Sequence, residues 1–262
     1  SIMSLITLSV DLCMQRQSGD LATPKASKWW KERILSGQVV AAGGGPPCET
    51  FTVARQFDGG PRPLRSAQQP HGLPGLTNRE WCQLRISDRL LRFLLDMLVT
   101  LAMMGLSGFL EHPQFPTWCN RGHPASIWAM EALKHLKRLN CFSVVSFDQC
   151  VVGAVAKKPT TLLLLRMPDV REQLMKRGHC GRCNHPAGSH SALIGRQQDG
   201  TFNTAKAKVY PYGLNSILGI GLFKAAERWV SVATDKQLPA ELTPYLEQSC
   251  HDESVVQPDY HG

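Results

Sequence analysis

Apolar and polar positions follow two patterns along this chain, short apolar runs rich in β-branched residues or leucine and longer stretches with helical spacing. Apolar runs bounded by Gly, Pro or Asp predict strands, whereas apolar positions three or four apart, introduced by Thr or Pro, predict helices. Helical stretches separate the early strands, and this order predicts an α/β fold with a parallel sheet. The predicted strands cover residues 5–10, 38–42, 108–113, 141–147 and 160–165, and the predicted helices cover 24–37, 78–104, 124–136, 168–178 and 215–231.

Two of the helix starts carry specific capping signals. Thr23 precedes a proline at the first helical position, and Thr77 with Glu80 fits a capping box. The 18-residue apolar stretch at 93–110 must also be weighed as a membrane span. Asp96 lies inside it and glycines interrupt its end, whereas a span needs about 20 uninterrupted apolar residues. We therefore expect a core helix that runs into a buried strand, and no membrane partner.

The charge of the chain is positive and unevenly distributed. The 262 residues carry a formal net charge of +8, and residues 237–262 contain five acids and no Lys or Arg, so the first 236 residues carry +13. Such a basic body suits a polyanionic partner, nucleic acid first. A basic surface also occurs on proteins that bind no nucleic acid, so charge alone does not decide the partner.

The cysteines indicate the redox compartment. Nine of them are scattered without the dense spacing of a secreted disulfide framework, and their number is odd. Residues 1–10 lack the basic start and the cleavage site of a secretory signal. Both features predict a reducing compartment, the nucleus or the cytoplasm.

Two predicted strands end in residues that can do covalent chemistry. The strand at 38–42 leads into Gly44-Gly45-Pro46-Pro47-Cys48, and the strand at 108–113 delivers Glu111. Ligands bind beyond the carboxyl ends of the strands in open α/β sheets, so Cys48 and Glu111 are predicted to share one sheet edge. A thiolate paired with a carboxylic acid suits addition to an electron-poor heteroaromatic ring.

The reactivity of Cys48 depends on its surroundings. A helix that begins just after the Pro-Pro-Cys turn would lower the pKa of its thiol and favour the thiolate. The alternative is the commonest fate of an unpaired cysteine, that of a small buried hydrophobic residue.

Three segments, in this order, resemble motifs of the DNA C5-cytosine methyltransferases. Gly-Gly-Pro-Pro-Cys-Glu-Thr-Phe-Thr at 44–52 resembles the family's Pro-Cys nucleophile motif. Glu111-His112-Pro113 stands where the family has Glu-Asn-Val or Glu-Asn-Pro. The segment from Gly153 through Lys157-Lys158, with the strand after it, resembles the family's Gln-x-Arg-x-Arg segment, and order and spacing hold from about residue 5 to residue 166.

The resemblance implies a Rossmann-like, S-adenosylmethionine-dependent methyltransferase sheet with helices on both faces, lacking the first strand and the glycine loop. It implies that Cys48 adds to C6 of a cytosine flipped out of DNA, that Glu111 holds N3, and that C5 takes the methyl group. Lys158 takes the place of the family's base-contacting arginine. The cofactor contacts that the resemblance implies are Asp11, Asp20, Pro46 and Asn215. The alternative role of the two aspartates is that of turn and capping acids.

Departures from the family pattern leave a second function open. Ala156 stands for the family's glutamine, Thr160 for its last arginine and His112 for its asparagine. The stretches at 148–161 and 210–211 also resemble methyltransferase-like domains of retroelement polyproteins. The alternative function is therefore that of a catalytically degenerate domain that binds nucleic acid or a protein partner.

A loop rich in Gly, Pro and Arg is predicted at 59–75, and connections of this length are uncommon unless they are functional. Arginines in or beside this loop are expected to grip nucleic-acid phosphates, and Lys157 is expected to contact a base or a phosphate. The alternatives are a solvated variable loop and a plain connection. The three arginines are Arg55, Arg62 and Arg65.

The segment after the last predicted strand is rich in Cys and His. Cys180, Cys183, His185 and His190 have the ligand types and the close spacing of a structural zinc site. The alternative is a short loop that contains ordinary histidines.

The length and composition of the chain bound its domain organisation. With 262 residues, 43% of them apolar, the chain can bury a sizeable core. We divide it into a methyltransferase-like α/β domain at 1–170, a Cys/His-rich segment with a closing helix at 171–236, and an acidic tail at 237–262.

Overall fold

The structure is a computed structural model that describes residues 19–231 except 58–59, 120–121, 194, 197 and 199. The predicted strand at 5–10, Asp11 and the predicted acidic tail lie outside the described residues. The described helices and strands are α1 (Pro24–Leu35), β1 (Ala41–Gly44), α2 (Asn78–Met103), β2 (Ser107–Pro113), α3 (Glu131–Leu136), β3 (Phe142–Asp148), β4 (Pro159–Leu165), α4 (Pro168–Met175) and α5 (Tyr212–Ser231), with 3₁₀ helices at Val53–Gln56, Ile127–Ala129, Gln149–Val152 and Asn203–Lys208.

The capping signals at the starts of α1 and α2 form as predicted. The Thr23 hydroxyl accepts the Ala26 N–H at 3.3 Å. The Thr77 hydroxyl accepts the Glu80 N–H at 3.3 Å, while the Glu80 carboxylate accepts the Thr77 N–H at 2.8 Å. These bonds satisfy backbone donors that have no partner within the helix. The predicted starts of both helices are confirmed.

The four described strands form one mixed sheet in the order β1-β2-β4-β3. β1 and β2 are parallel, whereas β4 runs antiparallel to both of its neighbours. The prediction of a parallel sheet is therefore right only for β1 and β2. Residues 149–158 join β3 to β4, and a connection of this length is too short for the crossover that parallel neighbours need. β1 also begins three residues later than predicted, at Ala41.

Helices cover both faces of the sheet, which confirms that part of the predicted α/β fold. Successive residues of β2 point to opposite faces, so Leu110 packs under α2 and Phe109 packs under α5. The core on the first face includes Ile34, Leu94, Leu98, Leu101, Leu110, Leu133 and Leu163. The core on the second face includes Phe109, Val145, Leu162, Leu164, Val170, Leu214 and Ile217.

Two of the observed helices begin at other residues than predicted, and α1 and α4 end two and three residues earlier than predicted. The stretch predicted as one helix at 124–136 is the 3₁₀ helix Ile127–Ala129 followed by α3. Met130 separates them because its backbone is extended, with φ −69° and ψ 142°. α5 begins at Tyr212, three residues before the predicted start, so that Leu214 joins the buried core.

The apolar stretch at 93–110 is the end of α2, a turn and the start of β2. Gly105 makes the turn with φ 70°, a backbone conformation that favours glycine. This confirms the expected core helix that runs into a buried strand. None of the helices in the described part of the chain has the combination of length and apolar character that a membrane crossing requires.

Candidate functional site

The candidate site lies at the edge of the sheet where β1, β2 and β3 end and β4 begins. β1 ends at Gly44, which pairs with Leu110, so the turn that carries Cys48 begins beside Glu111. Because β4 is antiparallel, it begins at this same edge, where Thr160 pairs with Pro113. Lys158 directly precedes β4, so the antiparallel direction of β4 places this cation at the same edge as Glu111. If β4 ran parallel to β2, Lys158 would lie at the opposite edge.

Gly45 allows the turn after β1 to pack directly on Glu111. A Cβ atom at this position would lie 2.7 Å from Glu111 Oε2 and 2.5 Å from the Tyr210 hydroxyl. Both distances are shorter than real Cβ contacts, so a side chain here would have to displace the ends of the Glu111 and Tyr210 side chains. The turn that carries the thiol is thereby held against the carboxylate.

Glu111 is the best-connected acid of the site. It is only 5% exposed, and three side chains reach its carboxylate. The Tyr210 hydroxyl donates to Oε2 at 3.0 Å, the Gln149 amide donates to Oε1 at 3.4 Å, and Lys158 Nζ lies 3.6 Å from Oε1. A buried carboxylate needs such donors, since an unpaired buried charge is costly.

Cys48 is half-buried in the turn above this carboxylate. Burial raises the pKa of its thiol, the ammonium of Lys158 lowers this pKa, and the carboxylates of Glu111 and Glu49 raise it again. The expectation that a following helix lowers the thiol pKa is wrong. The next described helix is the short 3₁₀ helix Val53–Gln56, and it begins five residues after the cysteine.

Lys158 and Tyr210 tie the segment before α5 to the site. Lys158 Nζ donates to the Ala207 carbonyl at 3.1 Å, and Tyr210 donates its hydroxyl to Glu111. Burial and the neighbouring Glu111 carboxylate raise the pKa of Tyr210, so its phenol stays a neutral donor. Tyr210 and Gln149 were not predicted as site residues, although both lie in the stretches that resemble retroelement domains.

His112 lies on the opposite face of β2 from Glu111 and does not support that carboxylate. It is 1% exposed, and its ring makes edge contacts with the rings of Phe51 and Trp128, at centroid distances of 5.5 and 6.5 Å. Neither ring nitrogen has a hydrogen-bond partner among the described residues. Burial and, to a smaller extent, the charges of Lys158 and Arg65 lower the pKa of His112, the backbone of Pro113 opposes them, and the pKa lies at about 3. The imidazole is therefore neutral.

The three arginines predicted to grip phosphates all make bonds within the chain. Arg65 has a fully buried side chain that donates to Thr50, Pro70 and Leu84 and pairs with Asp88 at 2.8 Å. Its predicted phosphate contact is wrong, because a guanidinium with 0% exposure cannot reach a phosphate.

Arg55 and Arg62 organise the long loop from within. Arg55 donates to the carbonyls of Glu49 and Arg62, at 2.6 and 2.8 Å. Arg62 forms an ion pair with Glu80 at 2.6 Å, and its side chain remains 49% exposed. Of the three arginines, only Arg62 therefore combines a surface position with a charge that a phosphate can approach. Lys157 is also half-exposed, 3.9 Å from Asp148.

The predicted cofactor contacts lie in different parts of the structure. The Asp20 carboxylate accepts the Ala22 N–H at 3.3 Å, which is the turn role that the alternative interpretation gave it. Pro46 is buried in the turn beside Cys48. Asn215 is exposed at the start of α5, where its amide donates to the Tyr210 carbonyl at 3.4 Å. Pro46 and Asn215 therefore lie next to the residues around Glu111, and Asp11 is outside the described residues.

A Cys/His group forms a second polar site and can hold a metal ion. The ligand atoms of its four members lie within 4.8 Å of one another. Cys183 Sγ is 3.4 Å from His185 Nδ1 and 3.5 Å from His190 Nε2, and the two nitrogens are 3.3 Å apart. The fourth member is Cys150, from the connection between β3 and β4.

Three of the four predicted ligands are therefore in the group, and the prediction of Cys180 is wrong. Cys180 is exposed in a tight turn with φ 51°, in which the Arg182 N–H donates to the His179 carbonyl at 3.0 Å. Cys150 lies thirty residues before Cys180 in the sequence, and no ligand spacing relates it to the Cys/His-rich segment.

Comparison of the chain with family models, with curated proteins and with solved structures found no match.

Proposed function

We propose that this chain is a DNA (cytosine-5) methyltransferase-like domain with a Rossmann-like sheet, in which Cys48 is the nucleophile and Glu111 the acid. The observation that carries the proposal is the packing of the Cys48 turn on Glu111 through Gly45. Lys158 contributes a cation whose charge acts on both groups. A thiol, a carboxyl and a cation at one sheet edge suit nucleophilic addition to a pyrimidine.

The proposed reaction uses these groups in sequence. The Cys48 thiolate forms a bond to C6 of a flipped cytosine, and the displaced π electrons delocalise toward N3, where Glu111 holds the proton. C5 then forms a bond to the methyl carbon, whose bond to the sulfonium sulfur of the methyl donor breaks and leaves a neutral thioether. Loss of the C5 proton to a solvent base restores the C5–C6 double bond and expels the Cys48 thiolate, and N3 returns its proton to Glu111.

Lys158 has two tasks in this scheme. Its charge lowers the pKa of the Cys48 thiol, which opposes the effect of burial. Its ammonium group, 3.6 Å from Glu111 Oε1, also holds the carboxylate in its orientation. A bound base would take the Glu111 oxygen that now accepts the Tyr210 hydroxyl, so Tyr210 must turn aside for the base to enter.

S-adenosylmethionine, when bound, supplies an electrophilic methyl group on a sulfonium. Pro46 and Asn215 are the residues in the described structure that we propose to contact it, because both lie beside the Cys48–Glu111 edge. The exposed Asn215 amide fits the polar groups of such a ligand. Asp20 is proposed with them, and its carboxylate would have to exchange its turn bond for the ligand.

The proposed partner is DNA in the nucleus or the cytoplasm. The first 236 residues carry +13, since the five acids of residues 237–262 reduce the total to +8. Phosphate contacts by such a body make binding salt-dependent. Arg62 and Lys157 are the proposed contacts among the residues predicted for this role, because both are half-exposed.

Two observations favour the alternative, a degenerate methyltransferase-like domain of a retroelement-type polyprotein that binds nucleic acid or a protein partner without turnover. Both oxygens of Glu111 already have partners within the chain, and burial raises the pKa of the Cys48 thiol. Isothermal calorimetry with S-adenosylmethionine separates the two functions, because a binding-only domain gives no heat of cofactor binding.

Transfer of a labelled methyl group to DNA tests the proposal directly. We expect transfer by the wild type and by Cys82→Ser, whose cysteine is exposed on α2, and loss of transfer in Cys48→Ser. Equal transfer by Cys48→Ser and the wild type would exclude Cys48 as the nucleophile.

We also propose that the metal of the Cys/His group is zinc. Ligand atoms around a tetrahedral zinc ion, with bonds of about 2.3 Å to sulfur and about 2.0 Å to nitrogen, are about 3.5 Å apart for sulfur and nitrogen and about 3.3 Å apart for two nitrogens. The observed separations among Cys183, His185 and His190 are 3.4, 3.5 and 3.3 Å, and all four ligand atoms, that of Cys150 included, lie within 4.8 Å of one another. Two thiolates and two imidazoles are also the ligand set that zinc prefers in structural sites.

A further inference from the structure

The Cys/His group shares its backbone with the Glu111 site. Cys150 directly follows Gln149, whose side-chain amide donates to Glu111 at 3.4 Å and to Thr160 at 3.1 Å. Both residues belong to the 3₁₀ helix Gln149–Val152. A shift of the metal ligand Cys150 therefore moves the donor that holds the carboxylate.

Further contacts join one end of the Cys/His segment to the last residue of β3 and the other end to the β3–β4 connection. The buried Asp148 carboxylate accepts the Cys183 N–H at 2.9 Å, and the Asp148 N–H donates to the Gly181 carbonyl at 2.9 Å. One residue after His190, the Ser191 N–H donates to the Val155 carbonyl at 3.0 Å. The segment that carries Cys183, His185 and His190 is thus attached to the end of β3 on one side and to the β3–β4 connection on the other.

The connection also fixes the position of Lys158. The Gln149 N–H donates to the Lys158 carbonyl at 3.0 Å, so the residue before Cys150 is bonded to the backbone of the cation. Residues 183–190 contain no helix or strand, and all of them are described. Bonds to a metal would supply the order that secondary structure does not provide here.

We infer that a Zn²⁺ ion bound by Cys150, Cys183, His185 and His190 positions Gln149 and Lys158 against Glu111. The inference rests on the proposed function only in its assumption that Glu111 is the acid of the reaction. Four protein ligands leave no open coordination position, so the ion acts by holding the backbone and takes no part in the reaction. Gln149 and Lys158 are positioning residues in this arrangement.

Zinc stoichiometry of purified variants tests the ligand assignment, and Cys180 provides a matched control. The wild type and Cys180→Ser are expected to hold one zinc per chain. Cys150→Ser and His190→Gln are expected to lose most of it, and His190 is only half-buried, so its substitution is mild for the fold. Zinc retained by both ligand variants, zinc lost from Cys180→Ser, or a wild type without zinc would each overturn the inference.

Hydrogen exchange measured by mass spectrometry, with and without Zn²⁺, tests the positioning. Zinc is expected to slow exchange at least roughly tenfold in peptides that cover 149–158 and 181–191, because metal bonds oppose local opening. Peptides from α2 serve as the internal control and should not change. If zinc slows exchange in 181–191 but leaves exchange in 149–158 unchanged, the metal site is not coupled to Glu111, and this result would also overturn the inference.

These results are distinguishable from the outcome for the proposed function. If zinc binds through Cys150 and protects 149–158 while no methyl transfer occurs, the positioning role stands and the proposed enzyme fails. If methyl transfer depends on Cys48 while Cys150→Ser keeps both zinc and transfer, the enzyme stands and the positioning role fails.

Discussion

His112 makes the stability of the fold depend on pH in a way that can be calculated. An ordinary histidine has a pKa of 6.5, and burial lowers that of His112 to about 3 in the folded state. Between these two values the unfolded chain binds a proton that the folded chain does not bind. Stability is therefore complete above the unfolded pKa and decreases as the pH falls through 6.5 toward 3.

The size of this loss of stability depends only on the pKa of the unfolded histidine, as long as the pH is high enough for the folded imidazole to stay neutral. At about pH 5.5, one unit below the unfolded value, the unfolded histidine is about tenfold more protonated than neutral, which lowers the free energy of unfolding by about 1.4 kcal/mol. His112→Phe removes this titration and retains an aromatic ring between Phe51 and Trp128.

The assay is urea unfolding of the wild type, His112→Phe and His71→Gln at about pH 8 and about pH 5.5. His71 is exposed, so its variant should lose as much stability as the wild type. His112→Phe should lose about 1.4 kcal/mol less than both. Equal losses in all three proteins would refute the conclusion that His112 is buried and neutral.

Two further pairs of variants test the interior of the site region. Arg65→Ala should lower the free energy of unfolding by about 3 kcal/mol, because it removes buried hydrogen bonds. Arg62→Ala removes only an exposed ion pair and should lower it by about 0–1 kcal/mol. Denaturant unfolding measures both, and similar losses would contradict the assignment of Arg65 as structural. Gly45→Ala should destabilise by about 1–3 kcal/mol, because its Cβ would meet Glu111 and Tyr210, whereas Gly44→Ala, whose Cβ meets only Leu94 at 4.0 Å, should cost less. Thermal melts compare this pair, and a Gly44→Ala variant less stable than Gly45→Ala would show that the turn does not pack on the carboxylate as described.

Local signals in the sequence predicted the elements that depend on neighbouring residues. The caps at Thr23 and Thr77 and the positions of β2, β3 and β4 follow from hydrogen bonds and apolar patterns within a few residues. The mixed direction of the sheet was not predicted, because strand direction depends on how the chain returns between strands. The connection at 149–158 is too short for a parallel crossover, so its length indicates that β3 and β4 are antiparallel.

The same distinction applies to the site. Cys48 and Glu111 were predicted together because two parallel strands end at one edge, and the register of β1 and β2 puts them there. Tyr210 lies ninety-nine residues from Glu111 in sequence, so only the fold brings it to the carboxylate. Cys150 was missed for the same reason, since the spacing within the Cys/His-rich segment favoured Cys180.

Arg65 shows the limit of predicting function from residue type. Arginine in a long polar loop is typical of a phosphate contact, but this guanidinium is buried against Phe51, with its carbon 4.3 Å from the ring centroid. Its side chain holds the loop to α2 through Leu84 and Asp88. Composition cannot distinguish an arginine that organises a loop from one that binds a ligand.

The measurement that tests the central claim most directly is covalent trapping on DNA that contains 5-fluorocytosine, in the presence of S-adenosylmethionine. Fluorine at C5 blocks the elimination that would release the thiol, so an enzyme that adds Cys48 to C6 stays bound to its substrate. The account predicts an adduct with the wild type, mapped by mass spectrometry to the peptide that contains Cys48, and none with Cys48→Ser. An adduct that persists in Cys48→Ser, or no adduct from wild-type protein that binds both DNA and S-adenosylmethionine, would contradict it.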